Sequence, residues 1–289
     1  MTIKRTILLF VAAMAIAVGA SAQQKYNLRL NLADKAAYTV STEHNNSSTV
    51  NAAGQQMKLG QRMKVSTKMS YDKLSDGNFR CTMTIGRIDM EADAMGQTMQ
   101  ISSADATTNE QNKLFKAIVN KPIYTTLSPQ GRSLGKEDVS QIEQAVESIM
   151  PNLGKAMAEQ MRSQAVTNNF YFPNHPVAVG ESWVCELSNN LPTMAGKGET
   201  LTVKQTIKCT LKEVTDKFFV LNTVGDIITN ENGIELKGLQ ETKLYIDRNT
   251  GIVDHATVKA NLGGHVSQMG QEMDVKSIVS GKVIVKPVK

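Results

Sequence analysis

The chain has 289 residues, 41% hydrophobic and 20% charged, which is enough apolar material for a buried core and excludes a disordered or low-complexity chain. Three cysteines in a chain this long exclude the disulfide framework of small secreted modules, so burial must supply the stability. With 5% aromatics against 15 methionines, the expected core is aliphatic and thioether rather than aromatic.

Residues 1–22 read as a secretory signal. Lys4 and Arg5 form a basic start, Ile7 to Val18 an uncharged apolar stretch, and Ala20-Ser21-Ala22 a small-residue cleavage site. Removing these 22 residues leaves 267 and lowers the formal charge from +5 to +3, too mild an excess to argue for a nucleic acid or an anionic membrane surface. Gln23, not cysteine, follows the site, so lipid attachment is not expected; nor does any run of 18 apolar residues follow that could span a membrane. The expected location is the periplasm or the cell exterior.

In the remaining chain Tyr26, Leu28, Leu30 and Leu32 alternate with Asn27, Arg29 and Asn31, the pattern of a half-buried strand. Tyr38 to Val50 continues as a long extended segment rich in threonine, serine and asparagine, and Ala53-Gly54-Gln55 reads as a hairpin tip. From Met57 to Tyr71 the odd positions are mostly apolar while Lys58, Arg62, Lys64 and Lys68 point away. After the Ser75–Asn78 turn, Phe79, Cys81, Met83 and Ile85 keep one phase and Ile88 and Met90 the other. A β-bulge at Gly86-Arg87 accounts for the shift. The middle changes period: Asn112–Val119 is a short helix, Ile123–Leu127 a strand, and Val139, Ile142, Val146 and Ile149 then Leu153, Met157 and Met161 give two amphipathic helices around Pro151. Phe172 to Pro176 is a rigid connector, after which strands return at Trp183–Leu187, Leu201–Leu211, Phe218–Ile227, Ile234–Asp247, Ile252–Leu262 and Met273–Val285.

The form (Ala/Met)-Gly-Gln-x-Met occurs at 53–57, 95–99 and 269–273, each time between extended stretches, and reads as three hairpin tips whose irregular spacing excludes a solenoid or propeller. The expected fold is mainly β with helices (α+β): long curved antiparallel sheets, half-barrel-like, with a central helical segment packed against them. One domain over 23–289 is expected, with related half-sheets at 23–104 and 182–289 joined by a helical middle at 105–181, in one sheet or two.

No catalytic residue can be nominated. Gly180-Glu181-Ser182-Trp183 starts like a nucleophile elbow but lacks the closing glycine, so a strand start is the better reading. Asp247 to Gly251 imitates a calcium loop with its glycine one position early and Val258 where a glutamate is needed; it reads as a turn. No zinc spacing exists, and no metal or cofactor is expected. Met95/Met99 and Met269/Met273 could present thioethers to Cu(I), but methionine at inward positions is ordinary core filling. Trp183, Tyr171, Phe170 and Phe172 are the one aromatic cluster, readable as a glycan platform or as a core anchor. Cys81, Cys185 and Cys209 fall in phase with buried positions, with Cys185–Cys209 the disulfide most easily formed.

These observations favour a non-enzymatic exported protein that binds or carries an apolar, lipid-like ligand on a sheet surface of Met57, Leu59, Met63, Met69 and Met83, because methionine adapts to variable ligands and long twisted sheets curl. The alternative is a structural or interaction protein of the cell envelope with a closed core.

The opening Lys25–Leu30, the methionine-rich Gly-Gln hairpins, Phe172–Val177, Val179-Gly180-Glu181-Ser182-Trp183 and the late Tyr245-Ile246-Asp247 to Thr250-Gly251 together resemble an uncharacterised family of exported β-rich bacterial proteins. The resemblance spans nearly all of the chain after residue 22 and implies no site residues. More distantly, a curved antiparallel sheet with helices against its concave face is similar in architecture to the periplasmic lipoprotein carriers.

Overall fold

The computed structural model describes residues 23–52, 54–94, 96–105, 110–150, 154, 158, 170–192, 200–231, 234–268 and 271–288. Among the described residues thirteen strands are formed: β1 (Lys25–Tyr26), β2 (Ala36–Ala52), β3 (Gln55–Lys73), β4 (Phe79–Ala94), β5 (Gln97–Ser102), β6 (Pro122–Leu127), β7 (Val177–Ala178), β8 (Ser182–Pro192), β9 (Thr200–Val214), β10 (Phe218–Glu231), β11 (Ile234–Asp247), β12 (Val253–Gln268) and β13 (Gln271–Pro287). Helix α1 (Glu110–Ile118) lies between β5 and β6, and helix α2 (Ser140–Glu147) between β6 and β7.

Eleven strands make one antiparallel sheet in the order β5-β4-β3-β2-β13-β12-β11-β10-β9-β8, with β6 beside β4; β1 and β7 pair separately. Both strand-rich parts of the sequence lie in this one sheet, because the last strand, β13, runs antiparallel to β2 from Pro287↔Tyr38 to Met273↔Ala52. The sheet is not closed into a barrel, and the fold is mainly β with helices.

Register places one residue set on a common face. Ile88, Val65, Thr42, Val283, Ala256, Leu244, Leu221 and Leu211 are consecutive cross-strand partners from β4 to β9. This is the inner face, against which Leu28, Ile118, Val139, Ile142, Val146, Phe170 and Phe172 form the core. The outer face carries Lys58, Lys64, Lys282 and Lys259 with carboxylates between them, such as Glu43, to which Arg62 Nε donates at 2.8 Å. Alternation along each strand therefore separates a solvated face from a buried one.

The bulge lies where the phase change places it. Ser66 pairs with Arg87 and Thr67 with Ile85, so Gly86 is the extra residue. It lets Cys81 and Met83 before it and Ile88 after it all reach the inner face. The same interruption divides the far edge of β4 between two partners, β6 over Phe79–Thr84 and β5 over Asp89–Ala94.

One expected strand is different in kind. Leu28, Leu30 and Leu32 are buried and Asn27, Arg29 and Asn31 exposed, as alternation requires, but only Lys25 and Tyr26 join a ladder, with Ala178 and Val177. The rest is an extended strap held by loops: Leu30 N–H donates to Pro129 O at 2.7 Å and Asn31 N–H to Thr250 O at 2.9 Å. An alternating pattern reports which side is buried, not what the backbone bonds. The hairpin tips at Gly54 and Gly96 have φ of +78° and +81°; the third, at Met269-Gly270, lies outside the described residues. In the helical middle, α2 buries Ile142 and Val146 and ends before Ile149, which is 38% exposed. Asp138 accepts from Ser140 N–H at its start, satisfying one free donor of the first turn. Of the helix expected from Leu153 to Met161, Leu153, Met157 and Met161 lie outside the described residues.

Candidate functional site

The inner face is closed at one end and open at the other. The helices, the strap and Phe170–Phe172 cover the end near Tyr71, Phe79 and Trp183. Between that covered end and the hairpin tips lies a cavity of about 310 Å³. Its walls are Tyr38, Val40, Thr42 and His44 of β2, Met69 and Tyr71 of β3, Thr223 of β10, Thr242 and Leu244 of β11, Ala256 and Val258 of β12, and Val283 and Val285 of β13, with Phe170, Ile252 and Val253 at the covered end. In a flat sheet β3 and β10, five strand spacings apart, would stand about 24 Å from one another. That both line one cavity means the sheet curls around it.

Glycines make the curl possible. A Cβ on Gly264 would lie 1.9 Å from Glu235 O, and one on Gly238 2.5 Å from Asn261 O, so β11 and β12 approach more closely there than any side chain allows. Gly281 does the same for a ring: a Cβ there would be 3.0 Å from His44 Nδ1.

The electrostatics of the cavity are simple. Among the described residues no lysine, arginine, aspartate or glutamate lines it, and His44 is the one lining side chain that changes charge near neutral pH. Burial holds the His44 imidazolium below its ordinary acidity range of 6.5. Burial likewise raises Tyr38 and, more strongly, Tyr71, so both hydroxyls stay protonated. For His44 the unfolded chain takes up a proton that the folded chain refuses. Its contribution to stability is present above about pH 6.5 and is lost as pH falls from there toward the folded value. His265 acts with the opposite sign: hydrogen bonds that its ring donates to the Asp274 and Glu272 carboxylates raise it, so its contribution is present below the unfolded value and lost as pH rises through the folded one. The expected result is that the denaturation midpoint of wild type minus that of His44→Gln shrinks on acidification from about pH 7 to about pH 5.5. A difference independent of pH would show that His44 is not desolvated.

Of the residues expected to form the binding surface, Met69 lines the cavity. Met83 is its cross-strand partner and is buried in the core. Met63 is the partner of His44, while Met57 and Leu59 continue along the same face toward the tips, Leu59 being 39% exposed. The residues singled out from the sequence lie on the inner face at its β3–β4 side, whereas the cavity is centred on β2, β13, β12 and β11. Alternation in Val279, Val283 and Val285 of β13 was the available signal. It could not be joined to Val40 and Thr42 without knowing that β13 pairs with β2.

Cys185 and Cys209 are brought together. Both are fully buried, and their sulfurs lie 3.7 Å apart as free thiols, beyond the roughly 2.05 Å of a disulfide bond. The Cys209 thiol and the Tyr171 N–H hold Cys185 below the ordinary thiol range, while the same contact and burial raise Cys209. Cys81 is apart from them, pushed up to about 12 by burial. The aromatic cluster is an anchor: Trp183, Phe170 and Phe172 are buried, and Trp183 Nε1 donates to Tyr171 O at 2.7 Å. Asp247 is occupied by its own turn, accepting from Asn249 N–H, Thr250 N–H and Thr250 Oγ1. Among the described residues no group of three histidine, cysteine or acidic side chains could hold a metal. Of the methionine pairs, Met95 and Met269 are outside the described residues and Met99 is exposed. A second concavity, of about 370 Å³, at the β3–β5 side is lined by the charged Arg62, Lys64, Asp89 and Glu91 together with Met90 and Ile101, with Arg87 Nε donating to Asp89 Oδ2 at 2.7 Å nearby.

An open antiparallel sheet curled around an apolar cavity, with helices at one end, defines the class of protein. The chain belongs to a family of unknown function (DUF6263), which matches residues 76–253, from the β3–β4 turn to the start of β12. No curated protein matches. Among solved structures, lipovitellin, in a structure describing lipid–protein interactions, superposes with a TM-score of 0.51 at 10% identity over 89% of this chain and 25% of that chain. This chain therefore spans about a quarter of lipovitellin, and the likeness shows the fold alone. The translocator domain of autotransporter NalP from Neisseria meningitidis (TM-score 0.20, 8% identity, 96% of this chain and 95% of that chain) and an outer membrane channel from Pseudomonas putida F1 (0.26, 10%, 89% and 98%) are too distant in shape to carry an argument. Among the described residues no helix is long and apolar enough to cross a membrane.

Proposed function

We propose that this chain is an exported, non-enzymatic protein that binds or carries a lipid-like apolar ligand on the inner face of its sheet. The observation that carries the reading is the cavity itself: about 310 Å³ left unfilled among Val40, Val258, Leu244, Val283 and Val285 on the inner face of the sheet. A core whose only task is stability fills such space, since unfilled apolar volume costs dispersion contacts. That argues against a purely structural envelope component. The fold shared with part of lipovitellin supports the same direction, as does the signal-like segment at 1–22, which calls for a secreted product beginning at Gln23 by intact mass.

Delipidated protein is expected to bind the neutral apolar dye Nile red saturably. Val258→Trp, which fills the cavity from its wall, is expected to lower that affinity at least about tenfold while the protein remains folded by circular dichroism. Failure of the wild type to bind Nile red or any lipid probe would overturn the reading.

A further inference from the structure

His44 is the unexplained group in this cavity. It sits on β2 with Met63 on one side and Gly281 on the other, and the same cross-strand row continues through Val258, Thr242 and Thr223. Gly281 gives up its side chain to make room for the ring. Neither imidazole nitrogen has a hydrogen-bond partner among the described residues, and burial alone accounts for its lowered basicity. The ring is half-buried at the wall of the cavity, so with no protein partner its nitrogens keep hydrogen-bonding capacity for a ligand lying there.

The position of the ring along the cavity limits what that partner is. Tyr38 to His44 spans six residue steps, about 20 Å of strand. At the Tyr38 end the cavity is closed by Tyr71 and Phe170. At the His44 end the inner face turns polar in the next rows: Asn46 and Ser277 are hydrogen-bonded at 2.6 Å, and Gln61 and Gln240 lie on the same side. The charged residues nearest to His44, namely Glu43, Lys64 and Lys282, are on the outer face by register, with Glu43 bonded to Arg62. Among the described residues of the sheet, therefore, no charge faces the ring.

We infer that the ligand is a long-chain carboxylic acid, its carboxyl group bonded to His44 at the boundary with the polar rows and its alkyl chain lying over Val40, Val283 and Leu244 toward Phe170. This rests on the proposed apolar-ligand function and narrows it. No covalent bond changes: the carboxyl proton moves to the imidazole, or an ionised acid meets an imidazolium, and either way a charge-assisted hydrogen bond forms where the ring now has none. An uncharged lipid of the same length could offer the ring only a neutral hydrogen bond, roughly half as strong as the charge-assisted one.

Competition against bound Nile red separates the two levels. Hexadecanoic acid is expected to displace the dye at least about tenfold more effectively than its methyl ester, consistent with one charge-assisted hydrogen bond. In His44→Leu the acid's advantage over the ester is expected to disappear, because among the described residues lining the cavity only His44 can carry a positive charge to pair with the carboxylate. In the wild type the His44 resonance should titrate at higher pH with the acid bound than without it. Equal displacement by acid and ester in the wild type, or a preference for the acid that survives in His44→Leu, overturns the inference and leaves the apolar-ligand reading standing. Absence of dye binding in the wild type overturns both. The acid–ester comparison needs no variant, so it decides the matter even if His44→Leu does not fold.

Discussion

Gly251→Ala is expected to cost at least about 3 kcal/mol of stability, an unusually large effect for adding one methyl group at a turn. Gly251 follows the Asp247 turn with φ of +74°, which alone costs an L residue about 1–2 kcal/mol. The larger part is contact: a Cβ at Gly251 would lie 2.1 Å from Arg29 O and 3.0 Å from Leu30 Cα, so it meets the backbone of the strap rather than a side chain that can swing away. The strap would have to lift, and with it the buried Leu28, Leu30 and Leu32. Gly77→Ala is the control. Its φ is +85° but nothing lies within 4 Å of the added Cβ, so only the conformational cost of about 1–2 kcal/mol is expected. Equilibrium denaturation of both variants measures the difference. Equal losses would mean that the strap is not packed on this turn as described.

Trp183→Ala is expected to cost about 3–5 kcal/mol, the range for deleting a buried ring from a packed core. Trp183, the one tryptophan of the chain, is 8% exposed at the start of β8 and packs on the inner face beside Cys209. Its indole N–H is also the main fastener of the connector, donating to Tyr171 O at 2.7 Å. Trp183→Phe keeps most of the ring but removes that donor, and is expected to cost about 1–2 kcal/mol. The split between the two variants separates packing from fastening. If Phe costs as much as Ala, the hydrogen bond rather than the ring holds the Phe170–Phe172 segment over the cavity's closed end.

Both effects depend on contacts between segments far apart in sequence, which sets the limit of what could be read from the residues in order. The bulge was legible because its evidence is local: apolar phase changes across Gly86-Arg87 and nowhere else in β4. The hairpin tips at Gly54 and Gly96 were legible for the same reason, since the turn needs a positive φ that glycine supplies. The inward phase of Cys185 and Cys209 was legible too, and with it their neighbourhood. The cavity was not legible, only the inner face on which it lies. Met57, Leu59, Met63, Met69 and Met83 stand out by composition, but five apolar residues in a row along β3 and β4 do not say where a curved sheet leaves space.

The sequence by itself determined the mainly β character, the strand phases, the helical interruption and the single-sided burial, because alternation and turn chemistry act over a few residues. Tertiary structure alone decided that β13 closes against β2, which makes one sheet of the two strand-rich parts and sets His44, Val283 and Val258 around a common space. It also decided that the first alternating segment is a strap and not a strand. Pairing of residues more than 200 positions apart is chosen by the shared burial of whole faces, an energy that no local window of the chain contains.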